Sequence, residues 1–163
     1  MNRISAAILR EVLESLQPYP QMQFLLFAQQ WGPLEEELLE FCRRRDHSVQ
    51  LYGVGAMSEA APIEDPRLRH RPYRVEQPRY NLQGRLYNHA FVTAAIPDEP
   101  EAFLRKLYTG IANAGGVYLQ TDNENLPRWQ TMLEDANYVA ASTIALTEGD
   151  LLLYARKMHG WGS

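Results

Sequence analysis

Arginine side chains crowd one part of the sequence, residues 67–85, where they could recognise phosphate groups. The arginines are Arg67, Arg69, Arg71, Arg74, Arg79 and Arg85, and His70, Tyr73, Tyr80 and the adjacent Tyr87 lie among them. Guanidinium groups fit phosphate oxygens, and aromatic rings stack on bases. One interpretation is a nucleotide or nucleic-acid site, with an anionic partner held by Arg67, Arg69, Arg71 and Arg74. The other is a solvated loop whose arginines pair with acids elsewhere in the chain.

A second feature that could bind phosphate is the stretch Gly-Val-Gly-Ala-Met-Ser at residues 53–58. A phosphate loop needs the N-terminus of a helix behind it, so that backbone N–H groups point at the anion. Pro62 leaves room for barely one helical turn after this stretch. We therefore interpret Gly53 and Gly55 as part of a turn at the end of a strand.

Metal and nucleophile chemistry find little support in the sequence. The histidines are scattered, with no pair at ligand spacing, so no metal site is expected; they are His47, His70, His89 and His159. Cys42 is the only cysteine, and no base stands at a spacing that would activate its thiol, so we interpret it as a small buried residue. The sequence contains no Gly-x-Ser-x-Gly elbow and no Walker loop, which argues against hydrolase and P-loop functions.

Two further residues, Asp98 and Trp161, are candidates for a functional or a packing role. Asp98 follows the fourth predicted strand and could act as a general base, but an acid two residues before Pro100 is more typical of a helix cap. Trp161 lies between two glycines near the end of the sequence. We expect its indole to pack against its own domain or against a second copy, which would make a homo-oligomer.

Short apolar runs alternate with amphipathic stretches along most of the chain. The apolar runs predict strands at residues 22–28, 49–54, 71–75, 88–96 and 117–120. Prolines, end charges and apolar spacing predict helices at residues 4–16 and 33–45 and from residues 100 and 127. The third of these helices should stop at the Gly-Gly pair of residues 115–116. Residues 139–146 and 151–156, which flank Thr-Glu-Gly-Asp, predict a β-hairpin.

The overall composition limits the class of protein. The 163 residues suit a single domain, residues 1–163. The formal charge of −4 gives no general attraction to nucleic acid or to anionic membranes. The N-terminal segment carries Arg10, Glu11 and Glu14, and no apolar run is long enough to cross a bilayer. We therefore expect a cytoplasmic protein with no membrane partner.

The second half of the chain resembles a known family in sequence. Asn-His-Ala-Phe-Val-Thr at residues 88–93, Phe-Leu-Arg-Lys-Leu at 103–107 and Ala-Gly-Gly-Val-Tyr-Leu at 114–119 look like its fourth strand, fourth helix and fifth strand. Residues 130–139 and 153–157 are similar to its last helix and last strand. The family is that of the class I S-adenosylmethionine (SAM)-dependent methyltransferases. The resemblance implies an α/β fold, a Rossmann-like three-layer sandwich. The alternation and the hairpin predict a mostly parallel sheet with a C-terminal antiparallel hairpin, in the order 3-2-1-4-5-7-6.

The first half departs from that family where SAM would bind. The resemblance implies a glycine-rich loop after the first strand, but this chain has Ala-Gln-Gln-Trp-Gly-Pro at residues 28–33. It also implies an acid at the end of the second strand to hold the ribose diol, and the matching position is Gly55. Ile-Pro-Asp at residues 96–98 lacks the Asn/Asp-Pro-Pro-aromatic motif of members that methylate amines. We expect weak SAM binding or none, unless Glu59 or Asp65 supplies the missing acid.

The leading hypothesis is a methyltransferase-like protein with a degenerate SAM site that works as a binding or interaction module. Its ligand, an unknown small molecule, should lie at the carboxyl ends of the first and fourth strands, where the strand order reverses. The residues expected to line the site are Gln29, Gln30, Trp31, Gly32, Gly53, Gly55, Thr93 and Asp98. An active SAM-dependent methyltransferase with a remodelled loop is the alternative. A nucleotide or nucleic-acid binder that uses residues 67–85 is a third hypothesis.

Overall fold

The computed structural model of the chain describes residues 3–80, 85–147 and 149–157. Its helices are α1 (Arg3–Glu14), α2 (Pro33–Arg45), α3 (Pro100–Gly110) and α4 (Leu126–Asp135). Its strands are β1 (Gln23–Ala28), β2 (Ser48–Gly53), β3 (Leu68–Pro72), β4 (Tyr87–Val92), β5 (Ile111–Asp122), β6 (Tyr138–Thr147) and β7 (Asp150–Lys157). Two residues of the predictions, Glu148 in the hairpin loop and Trp161, lie outside the described residues. None of the described helices is long and apolar enough to cross a membrane.

All seven strands belong to one sheet with the order β3-β2-β1-β4-β5-β7-β6. The pairs from β3 to β5 are parallel, and β7 runs antiparallel to both β5 and β6. The predicted strand order is therefore confirmed. β1 lies in the middle of the sheet because its apolar run is buried on both faces, as in Phe24 and Leu25, each 0% exposed.

Successive side chains of β1 point into two different cores. Phe24 and Leu26 pack with the apolar faces of α1 and α2. Leu25 and Phe27 pack on the opposite side, against α3, α4 and tyrosines of β2 and of the connection that follows β3. Because strand side chains alternate between the faces of a sheet, one apolar run supplies both cores. This confirms the three-layer α/β sandwich.

The third strand lies three residues earlier than the predicted 71–75. It pairs in parallel with β2, from Leu68 opposite Val49 to Pro72 opposite Gly53. β3 is an edge strand, and only one of its faces meets the core, so Leu68 is its single buried residue. An edge strand with one buried side chain carries little hydrophobic pattern, which explains the shifted prediction.

The predicted end of the third helix is wrong. α3 ends at Gly110, and Gly115 and Gly116 lie inside β5. A Cβ on Gly115 would come 2.4 Å from the Asn88 carbonyl oxygen, and one on Gly116 would come 2.6 Å from the Tyr154 ring. The two glycines therefore mark a close approach of strands rather than the end of a helix.

The fourth strand is shorter than predicted, ending at Val92 rather than at residue 96. The N–H groups of Thr93 and Ala94 both donate to the Phe27 carbonyl oxygen, at 2.9 and 3.1 Å. Two consecutive donors on one acceptor end the regular ladder, because a parallel pair spaces its hydrogen bonds evenly. The chain then leaves the sheet and forms a loop beside the end of β1.

Helices cover the two faces of the sheet unequally. Residues 54–67, which join β2 to β3, contain only a 3₁₀ turn, Gly55–Ser58, and the described residues between β3 and β4 contain no helix. On the face that carries α3, Tyr73 and Tyr80 pack beside Tyr52 near the carboxyl end of β2. The amino-terminal halves of β2 and β3 on this face have no such cover among the described residues.

Candidate functional site

A cavity of about 470 Å³ lies at the carboxyl ends of β1, β4 and β5, and we call it the carboxyl-edge cavity. Gln29 and Gln30 line it from the loop after β1, and Thr93 and Asp98 line it from the loop after β4. The carboxyl end of β5 and the start of α4 line the other side of the cavity, where the Trp129 ring lies. In open α/β sheets this edge is where ligands bind.

Gln29 joins the two loops that flank the cavity. Its side-chain Oε1 accepts a hydrogen bond from the Ala95 N–H at 3.0 Å. Gln29 and Ala95 belong to the loops after β1 and β4, which are neighbouring strands at the point where the strand order reverses. The side chain therefore lies across the crevice between the loops.

The other residues of the loop after β1 form hydrogen bonds with the first turn of α2. The buried Glu35 carboxylate accepts hydrogen bonds from the Gly32 N–H at 2.9 Å and from the Thr93 hydroxyl at 2.6 Å. The Trp31 indole N–H donates to Glu36 at 2.8 Å. Glu35 thus ties the first turn of α2 to the end of β4. The sequence prediction missed Glu35, although an acid three residues after a helix N-cap is a recognised capping signal.

Gly53 and Gly55 shape the end of β2. A Cβ on Gly53 would lie 2.0 Å from the Met57 carbonyl oxygen, so the 3₁₀ turn packs directly back on the strand end. His70 Nε2 lies 2.7 Å from the same oxygen. Gly55 opens the turn with a φ of 62°, in the left-handed region that glycine adopts readily. This confirms the interpretation of residues 53–58 as a turn at a strand end.

Asp65 and Glu59, the two acids named as replacements for a ribose-binding carboxylate, differ in their contacts and exposure. Asp65 accepts hydrogen bonds from the Arg43 guanidinium at 2.8 Å and from the Arg67 N–H at 2.9 Å. These bonds hold the pKa of Asp65 below its usual value, although burial opposes the shift. Glu59 is exposed just after the 3₁₀ turn. Neither residue lines the carboxyl-edge cavity.

Asp98 does not cap α3, which corrects the sequence interpretation. The N-cap residue is Glu99, without a side-chain hydrogen bond. The buried Asp98 carboxylate instead accepts from the Tyr73 hydroxyl at 2.6 Å and the Glu76 N–H at 3.0 Å, with Lys106 Nζ at 3.5 Å. Burial alone would raise the pKa of Asp98, but these three partners together hold it below its usual value. Asp98 therefore anchors the segment that follows β3.

A chain of tyrosines continues from Asp98 into the core. The single proton of the Tyr73 hydroxyl goes to Asp98, so the Tyr80 hydroxyl donates to Tyr73 at 3.0 Å. The Tyr52 hydroxyl donates to the Tyr80 carbonyl oxygen at 2.9 Å. Burial raises the pKa of Tyr80 to about 12, and all of these phenols stay neutral near pH 7. Apart from the presence of the tyrosines, no sequence pattern indicates this network.

The structure brings four of the eight predicted site residues together. Gln29, Gln30, Thr93 and Asp98 line the carboxyl-edge cavity, whereas the other four do not; these are Trp31, Gly32, Gly53 and Gly55. The described lining offers amides, hydroxyls and carboxylates, and it contains no lysine, arginine, histidine or cysteine. It can therefore form hydrogen bonds to a neutral or cationic polar molecule.

The cofactor implied by the resemblance, SAM, needs a bare backbone after β1 and an acid at the end of β2. The described structure has the Gln29 side chain across the first position and the tight turn from Gly53 at the second. At these two positions the chain therefore differs from the arrangement that the resemblance implies for SAM.

Comparison with known proteins identifies a fold. No family model matches the chain, and no curated protein matches its sequence. The structure is similar to that of human N-acetylserotonin methyltransferase in complex with SAM, at 9% sequence identity and a TM-score of 0.70, covering 95% of this chain and 52% of that one. It is also similar to a TehB-like SAM-dependent methyltransferase from Corynebacterium glutamicum, at 10% identity and a TM-score of 0.67, covering 96% of this chain and 89% of that one.

These comparisons confirm the predicted resemblance at the level of the fold. This chain spans about half the length of the human enzyme and nearly all of the bacterial one. Function has to be argued from the site itself, since one fold hosts many activities.

Proposed function

We propose that this chain, which has the fold of the class I SAM-dependent methyltransferases, is a binding protein for a small polar molecule other than SAM. The observation that carries the proposal is the 3.0 Å hydrogen bond between Gln29 and the Ala95 N–H. The resemblance implies that a glycine backbone should face the cofactor on this loop. Here a glutamine side chain stands on that approach and is held by the loop opposite.

Binding of SAM would be weakened at two positions, Gln29 and Gly55. Moving the Gln29 amide aside breaks its hydrogen bond, a loss of about 1 kcal/mol. At the end of β2 the acid is replaced by Gly55, so charge-assisted hydrogen bonds worth roughly 1.5–3 kcal/mol each are missing. With one such bond counted, these losses lower the affinity by a factor on the order of a hundred to a thousand relative to a complete site.

The lining of the carboxyl-edge cavity favours a ligand of a particular chemistry. Asp122 and Asp150 add carboxylates to the amides of Gln29 and Gln30, so an anionic ligand would be repelled. The Trp129 ring at the side of the cavity offers a flat apolar surface. We therefore expect a neutral or cationic molecule with hydrogen-bond donors and a planar part.

Calorimetric titration with SAM and with S-adenosylhomocysteine at neutral pH tests the proposal. We expect no binding in the low micromolar range for either compound. Binding of SAM in that range would overturn the proposal and favour an active methyltransferase with a remodelled loop.

A variant that restores the missing features sharpens the same test. Gln29→Gly with Gln30→Gly removes the side chains from the loop, and Gly55→Asp returns an acid to the end of β2. A Cβ at Gly55 meets no atom within 4 Å, and aspartate tolerates left-handed backbone better than most residues. The triple variant should bind SAM more tightly than the wild type, whereas Gln29→Ala alone should gain little.

An active SAM-dependent methyltransferase is the second candidate. It is favoured by the structural similarity to enzymes such as the human protein in complex with SAM. Its test is the appearance of S-adenosylhomocysteine when the protein is incubated with SAM and mixed small-molecule acceptors, which the leading proposal predicts will not occur.

A further inference from the structure

A second hollow, of about 360 Å³, lies on the α3 face of the sheet beside the amino-terminal half of β2 and along β3. We call it the basic hollow. The residues that matter for its chemistry are Arg69 and Arg71 of β3, Arg85 and Tyr87 near the start of β4, Gln23 of β1 and Ser48 of β2. It shares no lining residue with the carboxyl-edge cavity.

The strand register explains why two arginines enter this hollow together. Arg69 lies opposite Gln50 and Arg71 lies opposite Tyr52, so both project to the α3 face. A helix usually covers each face of such a sheet, but the described connections beside β3 supply none. Tyr73 and Tyr80 fill only the carboxyl-terminal part of the space, and the guanidinium groups remain in the open part.

The positive charges of the basic hollow are not neutralised by the described residues. No carboxylate among them lies within 4.0 Å of Arg69, Arg71 or Arg85, and none lines the hollow. By contrast, Arg67 forms an ion pair with Asp46 at 2.7 Å, and Arg43 forms one with Asp65 at 2.8 Å. The arginines of this part of the sequence therefore divide into paired and unpaired groups.

The three unpaired arginines all influence the side chain of Tyr87 electrostatically. Burial raises the pKa of Tyr87, and the positive charges of Arg69, Arg71 and Arg85 each act in the opposite direction. Their guanidinium groups are therefore all close enough to the buried Tyr87 side chain to influence it. Three cations around one point form a local site for concentrated negative charge.

We propose that the basic hollow binds a compact polyanion, a small molecule that carries two or more linked phosphate groups. Guanidinium groups bind phosphate oxygens through paired N–H donors, and three of them match the charge of a pyrophosphate group or a longer chain. The Ser48 hydroxyl and the Gln23 amide at the floor of the hollow add neutral donors.

The aromatic residues of this region argue against a single-stranded nucleic acid as the ligand. Base stacking needs exposed ring faces. Tyr80 is 0% exposed and Tyr87 is 7% exposed, and both rings belong to the core on this face. Recognition is therefore confined to the phosphate groups.

Titration with inorganic tripolyphosphate, at low ionic strength and followed by calorimetry and by the melting temperature, tests the proposal. We expect a one-to-one complex that stabilises the protein and weakens as salt is added. Replacement of Arg69, Arg71 and Arg85 by alanine should reduce the affinity by at least about a hundred-fold, because three charge-assisted contacts are lost.

A matched control replaces Arg74 and Arg79, which are exposed arginines of the same segment outside the basic hollow. Compared at physiological ionic strength, where screening weakens distant charges, this double variant should bind tripolyphosphate within about two-fold of the wild type. The single variant Arg85→Ala, which changes no strand residue, measures the contribution of one contact if the triple variant is poorly folded.

Three outcomes would overturn the proposal. The first is no response of the wild type to millimolar tripolyphosphate. The second is an equal loss of affinity in the control variant and the triple variant. The third is tighter binding of a single-stranded oligouridylate than of tripolyphosphate, which would indicate an extended nucleic-acid track along the segment.

Discussion

The two hollows use their polar side chains in opposite ways. Around the carboxyl-edge cavity, Gln29, Glu35 and Asp98 bond to groups of the chain itself and close the loops on one another. In the basic hollow, Arg69 and Arg71 point to the same face without a described carboxylate beside them. The edge where this fold usually binds ligands is thus tied together, while a face that helices usually cover is open and charged. Two proteins with the same layout of strands can therefore differ in which surface presents unpaired polar side chains.

The largest effect we expect comes from Gly53→Ala, which tests how tightly the end of β2 is closed. The added Cβ would lie 2.0 Å from the Met57 carbonyl oxygen, so the 3₁₀ turn must move. Overpacking against backbone should lower the free energy of unfolding by about 2–4 kcal/mol, measured by urea denaturation. Gly55→Asn is the control, because its Cβ position is empty and asparagine tolerates a φ of 62°; it should cost less than about 1 kcal/mol. Equal stability of Gly53→Ala and wild type would mean that this end of the sheet is loose enough to admit a cofactor.

Asp98→Asn tests the anchor on the other side of the carboxyl-edge cavity. The amide loses the charge that faces Lys106 and sets an N–H₂ group against the Tyr73 or Glu76 donor. We expect a loss of about 1–3 kcal/mol at pH 7 in the free energy of unfolding. Glu101→Gln, which alters an exposed acid of α3 whose partner Arg105 is 3.8 Å away, should change it by less than about 0.5 kcal/mol.

The pH dependence of the same variant gives an independent check. Because the folded pKa of Asp98 is held below its usual value, its contribution is complete above the unfolded pKa, about 3.9, and is lost as the pH falls below it. The stability difference between wild type and Asp98→Asn should therefore shrink towards pH 3. Half-buried His89, whose pKa burial lowers to about 4, makes both proteins less stable in acid, and the comparison cancels its effect. A difference that stays constant down to pH 3 would show that the carboxylate charge is not what anchors the segment.

Sequence and structure agree best where one residue pattern determines one element. The run at residues 22–28 is typical of a strand buried on both faces, and the strand–helix alternation with the closing hairpin predicts the observed strand order. Gly115 and Gly116 misled the prediction because glycine marks a close approach of strands as well as a helix end. The role of Glu35 depends on Thr93, 58 residues away, and no local pattern reveals such a bond.

The arginine-rich residues 67–85 likewise show that sequence alone does not reveal which side chains form a site. One interpretation of their composition is an anion site at Arg67, Arg69, Arg71 and Arg74 with tyrosines as stacking surfaces, and the other is a solvated loop of paired arginines. Only the register of β3 shows which side chains share a face, and it selects Arg69 and Arg71. The partner that completes the group, Arg85, comes from the start of another strand. The tyrosines belong to the core, a fact that depends on how the segment folds back over β2.

The smallest effect we expect is on the stability of a variant with Arg69 and Arg71 both replaced by alanine. Exposed charges without a carboxylate partner contribute less than about 1 kcal/mol to the free energy of unfolding. Removing neighbouring like charges also relieves their repulsion, which favours the variant. Its melting temperature at low salt should therefore equal or slightly exceed that of the wild type, and the difference should vanish as salt screens the charges. Arg43→Ala provides the contrast, since Arg43 joins α2 to Asp65 at 2.8 Å and pairs with Glu36 of the same helix at 3.1 Å, and its loss should lower the melting temperature. A sharp drop for the Arg69 and Arg71 variant would show that these arginines hold the fold, in which case the polar side chains around both hollows would be engaged in internal contacts and the contrast between them would disappear.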